Sequence, residues 1–104
     1  MKTTEKSKAL QELKDWDQVF RALAHESRRR ILTVLNARGG KMSAGVIAGR
    51  FSCAWATTTR HLGVLREAGL VEVKKTGREV FYELNHKKLL NVVQDWLRWF
   101  DTKG

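Results

Sequence analysis

The chain has 104 residues, of which 20 are Lys or Arg and 11 are Asp or Glu, so its formal net charge is +9 at neutral pH. This length allows one small domain. The absence of proline and a hydrophobic content of 42% exclude collagen-like, disordered and low-complexity chains. A domain of this size buries only a modest share of its surface, which favours an oligomer.

Cysteine usage and the start of the chain indicate where the protein works. Cys53 is the one cysteine, which excludes an intrachain disulfide and a zinc site built from several thiolates. A single thiol also favours a reducing compartment. The opening residues, MKTTEK, are charged and lack the apolar segment of a secretory signal. Because the longest apolar run, residues 53–56, is far short of the roughly 20 residues that cross a bilayer, we expect a cytoplasmic protein with no membrane partner.

The positive charge is concentrated in the middle of the chain. Residues 38–69 carry a net charge of +4 and residues 70–88 a net charge of +2, whereas residues 89–104 are neutral overall. A solvated surface accounts for any one of these charges. Their clustering favours a face that binds nucleic acid.

Four helices are predicted before the first strand. Residues 1–9 are rich in lysine and are expected to be flexible, and residues 10–104 are expected to form one domain. Apolar residues recur at three- and four-residue steps in the first helix. Glycines end the second and fourth helices, and Ser43 is placed to cap the third. The predicted helices cover residues 10–23, residues 25–37, a short stretch after Ser43, and residues 54–68.

The fourth helix has two different faces. Thr58, Leu62 and Leu65 form its inward stripe. The opposite face is small, polar or aromatic, and it comprises Trp55, Ala56, Thr59, Arg60 and Gly63. Since consecutive threonines are mediocre helix formers, a role other than helix stability is favoured for them.

A hairpin and a last helix complete the chain. Apolar and charged residues alternate over residues 71–74 and 80–84, which predicts two strands, and residues 75–78 read as the hairpin loop. A last helix is predicted over residues 86–100, with an apolar band wider than one small core requires. The predicted fold is mainly α with a β-hairpin wing: a winged helix-turn-helix of order α-α-α-α-β-β-α.

Three stretches are specific enough to name a family. Residues 23–32 read LAHESRRRIL, residues 60–71 read RHLGVLREAGLV, and residues 77–84 read GREVFYEL. Together they resemble the ArsR/SmtB family of winged-helix repressors, over about residues 20–84 and without a gap. The resemblance implies a homodimer built on the first and last helices. It also implies binding to a palindromic operator in double-stranded DNA and release by a small-molecule or protein effector.

Metal-binding features of that family are not matched. Many arsenic and metal sensors have a Cys-x-Cys pair in the third helix, where this chain has Ser43 and Gly45. Other members bind zinc-like ions in the last helix, but His86, Asp95 and Asp101 do not have the spacing that shares a helix face. A further departure concerns DNA rather than metal: Gly63 stands where the family often has lysine, which removes a possible phosphate contact from the fourth helix. The metal-sensor features are the ones that bear on cofactors. We therefore expect no metal and no cofactor.

The outer face of the fourth helix carries the first group of expected DNA contacts. The guanidinium of Arg60 suits a guanine edge or a phosphate. Thr57 and Thr59 can donate to phosphates or touch a thymine methyl, although capping explains Thr57 nearly as well. Trp55 either stacks on the groove wall or packs into the turn. Ala56 completes this group.

The wing carries the second group. Arg78 is placed to enter the minor groove, whose negative potential attracts arginine. Lys74 and Lys75 either contact phosphates or are simply solvated.

The dimer interface implied by the resemblance uses apolar residues of the first and last helices. They are Leu10, Leu13, Trp16, Leu89, Val92, Val93, Trp96, Trp99 and Phe100.

Other reactive side chains have structural interpretations. His61 lies beside the inward stripe of the fourth helix and is expected to be a hydrogen-bonded structural imidazole. His25 is expected to be a weak helix cap. Of the arginines that open the second helix, Arg28, Arg29 and Arg30, one can reach phosphate, but the family's arginines at these positions are more often structural. Cys53 is expected to be a small buried hydrophobe, because a redox role would need a second thiol from a partner subunit.

These observations favour a sequence-specific, dimeric, metal-independent repressor. A non-specific architectural nucleic-acid-binding protein and a winged-helix module that binds an acidic protein are the alternatives. An enzyme is disfavoured, because the three histidines are far apart in sequence and no nucleophile has an evident base.

Overall fold

The computed structural model describes residues 2–51 and 54–102. Within these ranges the chain forms five helices and three strands. Their order is α1 (Lys2–Leu23), α2 (Glu26–Ala37), β1 (Lys41–Ser43), α3 (Ala44–Arg50), α4 (Trp55–Glu67), β2 (Val71–Thr76), β3 (Glu79–Leu84) and α5 (His86–Arg98). This order confirms the winged helix-turn-helix with one added strand.

The helix ends follow from local sequence. His25 caps α2 through its Nδ1 atom, which accepts from the Ser27 amide at 3.1 Å. The Ser43 hydroxyl caps α3 by accepting from the Val46 amide at 3.2 Å, as predicted. Gly39 and Gly40 follow α2 with φ of 85° and 92°, a conformation that side-chain-bearing residues rarely adopt.

The three strands form one antiparallel sheet in the order β1-β3-β2. The hairpin of β2 and β3 is the predicted wing. Strand β1 was not predicted: Met42 pairs with Tyr82, and this pairing places β1 on the other edge of β3. Met42 is buried between exposed and half-buried neighbours, so the strand fills the edge of the core.

The core lies where α1, α2, α4 and the sheet meet. It consists of aliphatic side chains, and its most deeply buried members include Leu35, Ile47, Leu62, Leu65 and Leu70. Burial of side chains of this size stabilises a fold by roughly 1.5–3 kcal/mol each. Every helix except α5 supplies at least one of its side chains to this core at full burial, and α5 contributes Val92.

Two predictions about the helices are corrected. Helix α1 begins at Lys2, so the segment expected to be flexible is helical from its second residue. Val92 was predicted to face a partner but is 5% exposed and belongs to the protein's own core. Leu89 and Trp16, also predicted at the interface, are partly buried against the same core.

Candidate nucleic-acid interface

Helices α3 and α4 form a helix-turn-helix unit. Ile47 is fully buried and anchors α3 on the core, and α4 begins five residues after α3 ends. The predicted turn at residues 52–53, and with it the prediction for Cys53, lies outside the described residues. Ile47 thus fixes α3 on the core. The buried inner face of α4 fixes the position of that helix in the same way.

The two faces of α4 separate as predicted. Thr58, Leu62 and Leu65 are buried. Thr57 is half-buried, at the boundary between the faces. Exposed to solvent are Trp55, Ala56, Thr59, Arg60 and Gly63.

The first turn of α4 differs from those of the helices around it. Helices α2, α3 and α5 each begin with a side-chain cap, provided by His25, Ser43 and Asn85. The N-cap of α4 is Ala54, which offers no side-chain hydrogen bond, and the first turn carries no acidic residue. Among the described residues no side chain caps α4. The positive end of its helix dipole is therefore available to an external anion.

Trp55 lies at this uncapped end and is 42% exposed. It does not pack into the core. The turn into which the sequence alternatively placed the indole, residues 52–53, lies outside the described residues. A large aromatic side chain held at the surface offers a flat area on which a partner can stack.

The wing carries its basic residues near its tip. Strands β2 and β3 pair up to Thr76 and Glu79, so the loop comprises only Gly77 and Arg78, rather than the four residues predicted. Gly77 has a φ of 61°, as expected at the first position of a type II′ turn. Arg78 is exposed.

The two lysines of the wing are also exposed, but one has a partner. The Nζ atom of Lys74 lies 3.2 Å from Oε2 of Glu72, and both side chains are about half exposed, at 49% and 53%. Such a surface pair contributes little to stability and is easily exchanged for another anion. Exposed residues of α4 and the wing, together with the half-buried Thr57, form what we call the candidate DNA face. It comprises Trp55, Ala56, Thr57, Thr59, Arg60, Lys74, Lys75 and Arg78.

The back of α4 carries a polar cluster. His61 is only 9% exposed, and its Nδ1 atom lies 3.4 Å from Nη1 of Arg28. The ring of His25 lies beside it, with centroids 4.5 Å apart. Burial, followed by the charges of His25, Arg28 and Arg60, holds the pKa of His61 below its ordinary value of 6.5. The prediction of a hydrogen-bonded structural imidazole is confirmed.

A second exposed surface lies between α1 and α5. It is a groove of about 550 Å³ whose lining is mainly aromatic. The rings of Phe20 and Trp96 meet edge to face at 5.1 Å, and those of Trp96 and Phe100 at 4.9 Å. We call this surface the aromatic groove, lined by Ala9, Glu12, Leu13, Trp16, Asp17, Phe20, Trp96, Trp99 and Phe100.

The described residues contain neither a metal-binding cluster nor a membrane-spanning helix. Residues 2–51 and 54–102 contain no group of three or more His, Cys, Asp or Glu placed to hold a metal ion. None of the helices in this part of the chain combines the length and the apolar character needed to span a membrane.

Comparison with known proteins matches this geometry. Residues 23–74 match a family model described as a helix-turn-helix domain. The transcriptional repressor SdpR of Bacillus subtilis is 35% identical over 89 residues, covering 83% of this chain and 92% of that protein. The transcriptional activator HlyU of Vibrio cholerae is 29% identical over 76 residues, covering 73% of this chain and 68% of its own.

Solved structures agree with the sequence relatives. An ArsR-like transcriptional regulator from Rhodococcus superposes with a TM-score of 0.73 at 33% identity, over 83% of this chain and 79% of that one.

Proposed function

The chain belongs to the ArsR family of winged-helix transcriptional regulators, and on this premise we propose that it is a homodimeric, metal-independent repressor of a palindromic operator. That it is a DNA-binding transcriptional regulator follows from the family. The dimer, the operator symmetry, the independence from metal and the direction of control are the parts that we propose.

We assign recognition of the DNA bases to the outer face of α4. In a winged helix-turn-helix protein this helix enters the major groove. Arg60 then reaches a guanine edge or a phosphate, and Thr59 and Ala56 lie where they meet base edges or a thymine methyl. The uncapped first turn receives a phosphate, with Thr57 donating to the same strand. Trp55 stacks against the sugar wall of the groove.

The wing is assigned to the adjacent minor groove. Arg78 occupies the two-residue tip and is the side chain placed to enter it. Lys74 and Lys75 approach the flanking phosphates, and Lys74 exchanges Glu72 for phosphate on binding. These contacts set affinity and position rather than sequence choice.

A second copy of the chain is proposed to cover the aromatic groove. Trp99 and Phe100 are 79% and 63% exposed, although both are large and apolar. An apolar patch of this kind on a small domain marks an interaction surface. The proposed interface comprises Leu10, Leu13, Trp16, Leu89, Val93, Trp96, Trp99 and Phe100, and it omits the buried Val92.

Two-fold symmetry explains why a palindrome is proposed. A dimer built on α1 and α5 presents two copies of α4, and these fit half-sites separated by one helical turn, about 34–36 Å, or a multiple of it. Repression is favoured by the likeness to SdpR, whose name identifies it as a repressor. An effector of unknown chemistry, a small molecule or a protein, would release the operator by favouring a different arrangement of the two copies.

Metal independence is supported by the side chains present. The positions that hold the Cys-x-Cys pair in metal sensors of the family are Ser43 and Gly45. Ser43 is already engaged as the cap of α3.

The observation that carries the proposal is the outer face of α4. It is polar and exposed, bears Arg60, and begins at a helix end without a cap. Selection of bound duplexes from a random DNA pool, in chelator-containing buffer, tests it. We expect enrichment of an inverted repeat, and sedimentation of the bound species as a dimer.

Three other outcomes would contradict parts of the proposal. Binding without any enriched sequence would favour an architectural protein. Absence of DNA binding at modest salt, with capture of an acidic protein instead, would favour a protein-interaction module. A requirement for added metal would refute metal independence. To fix the direction of control, the enriched site is placed upstream of a reporter, where repression is expected.

A further inference from the structure

The side chain of Arg28 connects three elements behind the candidate DNA face. Its Nε atom donates to the carbonyl of Ala22 at 2.7 Å, and its Nη2 atom donates to the carbonyl of Arg21 at 3.1 Å. Both carbonyls belong to the last turn of α1. The remaining Nη1 atom lies 3.4 Å from Nδ1 of His61 on α4. One guanidinium at the start of α2 therefore contacts the end of α1 and the inner face of α4.

His25 completes the cluster from the other side. Its Nδ1 atom accepts from the Ser27 amide, which fixes the ring at the start of α2. The ring then lies against that of His61, with an angle of 50° between the planes. His61 is thus enclosed by a capped helix end and a guanidinium that is already bound to α1.

We propose that His61 and Arg28 are positioning residues for DNA binding: they fix α4 against α1 and α2, and protonation of His61 displaces α4. Neither side chain belongs to the candidate DNA face, so both act through the position of Arg60 and its neighbours. This inference rests on the proposed reading of DNA by α4.

The chemistry of the contact explains why protonation matters. A guanidinium donates and cannot accept, so Nδ1 of His61 must be unprotonated to take part. A proton on Nδ1 would remove the acceptor and place a second cation beside Arg28. The groups that act on the ring are His25 and Arg28 at the start of α2 and Arg60 on α4. None of these three is a carboxylate that would offset the new charge, and α1 contributes backbone carbonyls that Arg28 already occupies.

The direction of the pH effect follows from this environment. The folded protein holds the pKa of His61 below 6.5, so the unfolded chain binds the proton more readily. The contribution of His61 to stability is therefore fully present above pH 6.5 and decreases as the pH falls toward the lower pKa of the folded state. The displaced α4 should lose DNA affinity over the same range.

This expectation has the opposite sign to the ordinary effect of acid on a DNA-binding protein. Protonation of a histidine normally adds positive charge and strengthens binding to a polyanion. Weaker binding at lower pH is therefore a specific signature of the proposal.

The experiment compares four proteins at constant ionic strength, using the duplex enriched from the random pool. They are the unchanged protein, His61→Gln, His61→Ala and His86→Gln. Glutamine keeps an acceptor oxygen for Arg28 but cannot titrate, and alanine removes the contact at every pH. His86, which is hydrogen-bonded to Asn36 at 2.9 Å and far from the cluster in sequence, provides the matched histidine control.

We expect the affinity of the unchanged protein and of His86→Gln to fall by about fivefold between about pH 7.5 and about pH 5.5, the equivalent of one lost hydrogen bond. His61→Gln should bind as the unchanged protein does at the higher pH and lose no affinity at the lower. His61→Ala should bind about fivefold more weakly at both. Thermal melts at each pH ensure that all four proteins are folded.

A second measurement does not depend on DNA. In amide NMR spectra of the free protein, the resonances of α4 should shift with a midpoint below pH 6.5, and this shift should be missing in His61→Gln. Parallel pH profiles for His61→Gln and the unchanged protein, in binding or in the α4 amides, would overturn the proposal. A flat pH profile in His86→Gln would assign the pH dependence to His86 instead of His61 and would also overturn the proposal. If no duplex is enriched, the function proposed above fails, and the amide titration alone decides this inference.

Discussion

The candidate DNA face and the aromatic groove are two exposed surfaces of the described residues, and they differ in charge. The first lies in the middle of the chain, where residues 38–69 carry a net charge of +4 and residues 70–88 a net charge of +2. The second is completed by the C-terminal segment, residues 89–104, whose net charge is zero. The lining of the groove contains two carboxylates, those of Glu12 and Asp17, and no cationic side chain.

The difference in charge indicates that the two surfaces bind different kinds of partner. Both surfaces expose tryptophan: Trp55 on the first and Trp99 on the second. Exposed aromatic area alone therefore does not identify a partner. On the same helix as Trp55 lie threonine hydroxyls, an arginine and a helix start without a side-chain cap, which suit phosphate. Around Trp99 they are other aromatic rings, which suit an apolar surface such as a second copy of the groove.

The largest expected effect comes from a charge placed in the aromatic groove. Trp99→Asp should convert the proposed dimer to a monomer, because an unpaired carboxylate cannot be buried against the partner. Operator affinity should fall by about 100-fold or more, since the two half-sites are then no longer bound together. Sedimentation and DNA titration measure the two effects. Trp99→Phe keeps the apolar surface and should remain dimeric.

The side chain is exposed in the single chain, so the substitution should leave the fold intact. A Trp99→Asp protein that is still dimeric and binds normally would end the assignment of this groove to a second copy.

On the other surface, Arg60→Ala tests base reading. Its loss should cost about 1–3 kcal/mol of binding and relax preference at one base step. Arg66→Ala is the matched control, because Arg66 is exposed on the same helix but lies outside the candidate DNA face. Binding to a panel of single-base operator variants distinguishes the outcomes. An equal loss on every sequence would reduce Arg60 to a phosphate contact.

The backbone conformation at the tip of the wing is expected to affect the stability of the fold. Gly77→Ala forces a side chain into a φ of 61°, which should cost about 1 kcal/mol of stability. No atom lies within 4 Å of the added carbon, so the strain would be purely conformational. Gly63→Ala, also in open space but within α4, should instead stabilise the fold by about 0.5–1 kcal/mol. Denaturant titrations measure both, and equal effects would contradict the turn geometry.

The smallest effect is expected from one lysine of the wing. Lys74→Ala should lower the salt dependence of DNA binding by about one unit on a logarithmic plot without changing the preferred sequence. Lys14→Ala, which changes an exposed side chain on α1 outside the candidate DNA face, should leave the slope unchanged. If both variants behave alike, the wing has no phosphate contact at this position.

The long elements could be predicted from sequence because their periodicity extends over many residues. The inward stripe of α4 and the alternation in the wing each repeat often enough to fix their orientation. Strand β1 could not be found in this way, since three residues supply a single buried position, Met42. It exists because β3 has a second edge, which is a property of the assembled sheet.

The cluster behind α4 shows another limit. His61 and Arg28 are 33 positions apart in the sequence. No sequence pattern around either residue predicts a contact with the other. The sequence predicted a structural role for each but not their contact. The missing cap of α4 could have been found, because Ala54 stands where its neighbouring helices have a polar side chain.

Ser43 ends β1 and also caps α3, and β1 is hydrogen-bonded to the same strand that forms half of the wing. A force that bends the wing at its base is thus transmitted through β3 and β1 to the first helix of the helix-turn-helix. The helix-turn-helix and the wing, to which we assign the DNA contacts, are therefore coupled through the sheet. If both bind as proposed, a DNA sequence that disfavours insertion of the wing should also weaken the binding of α4.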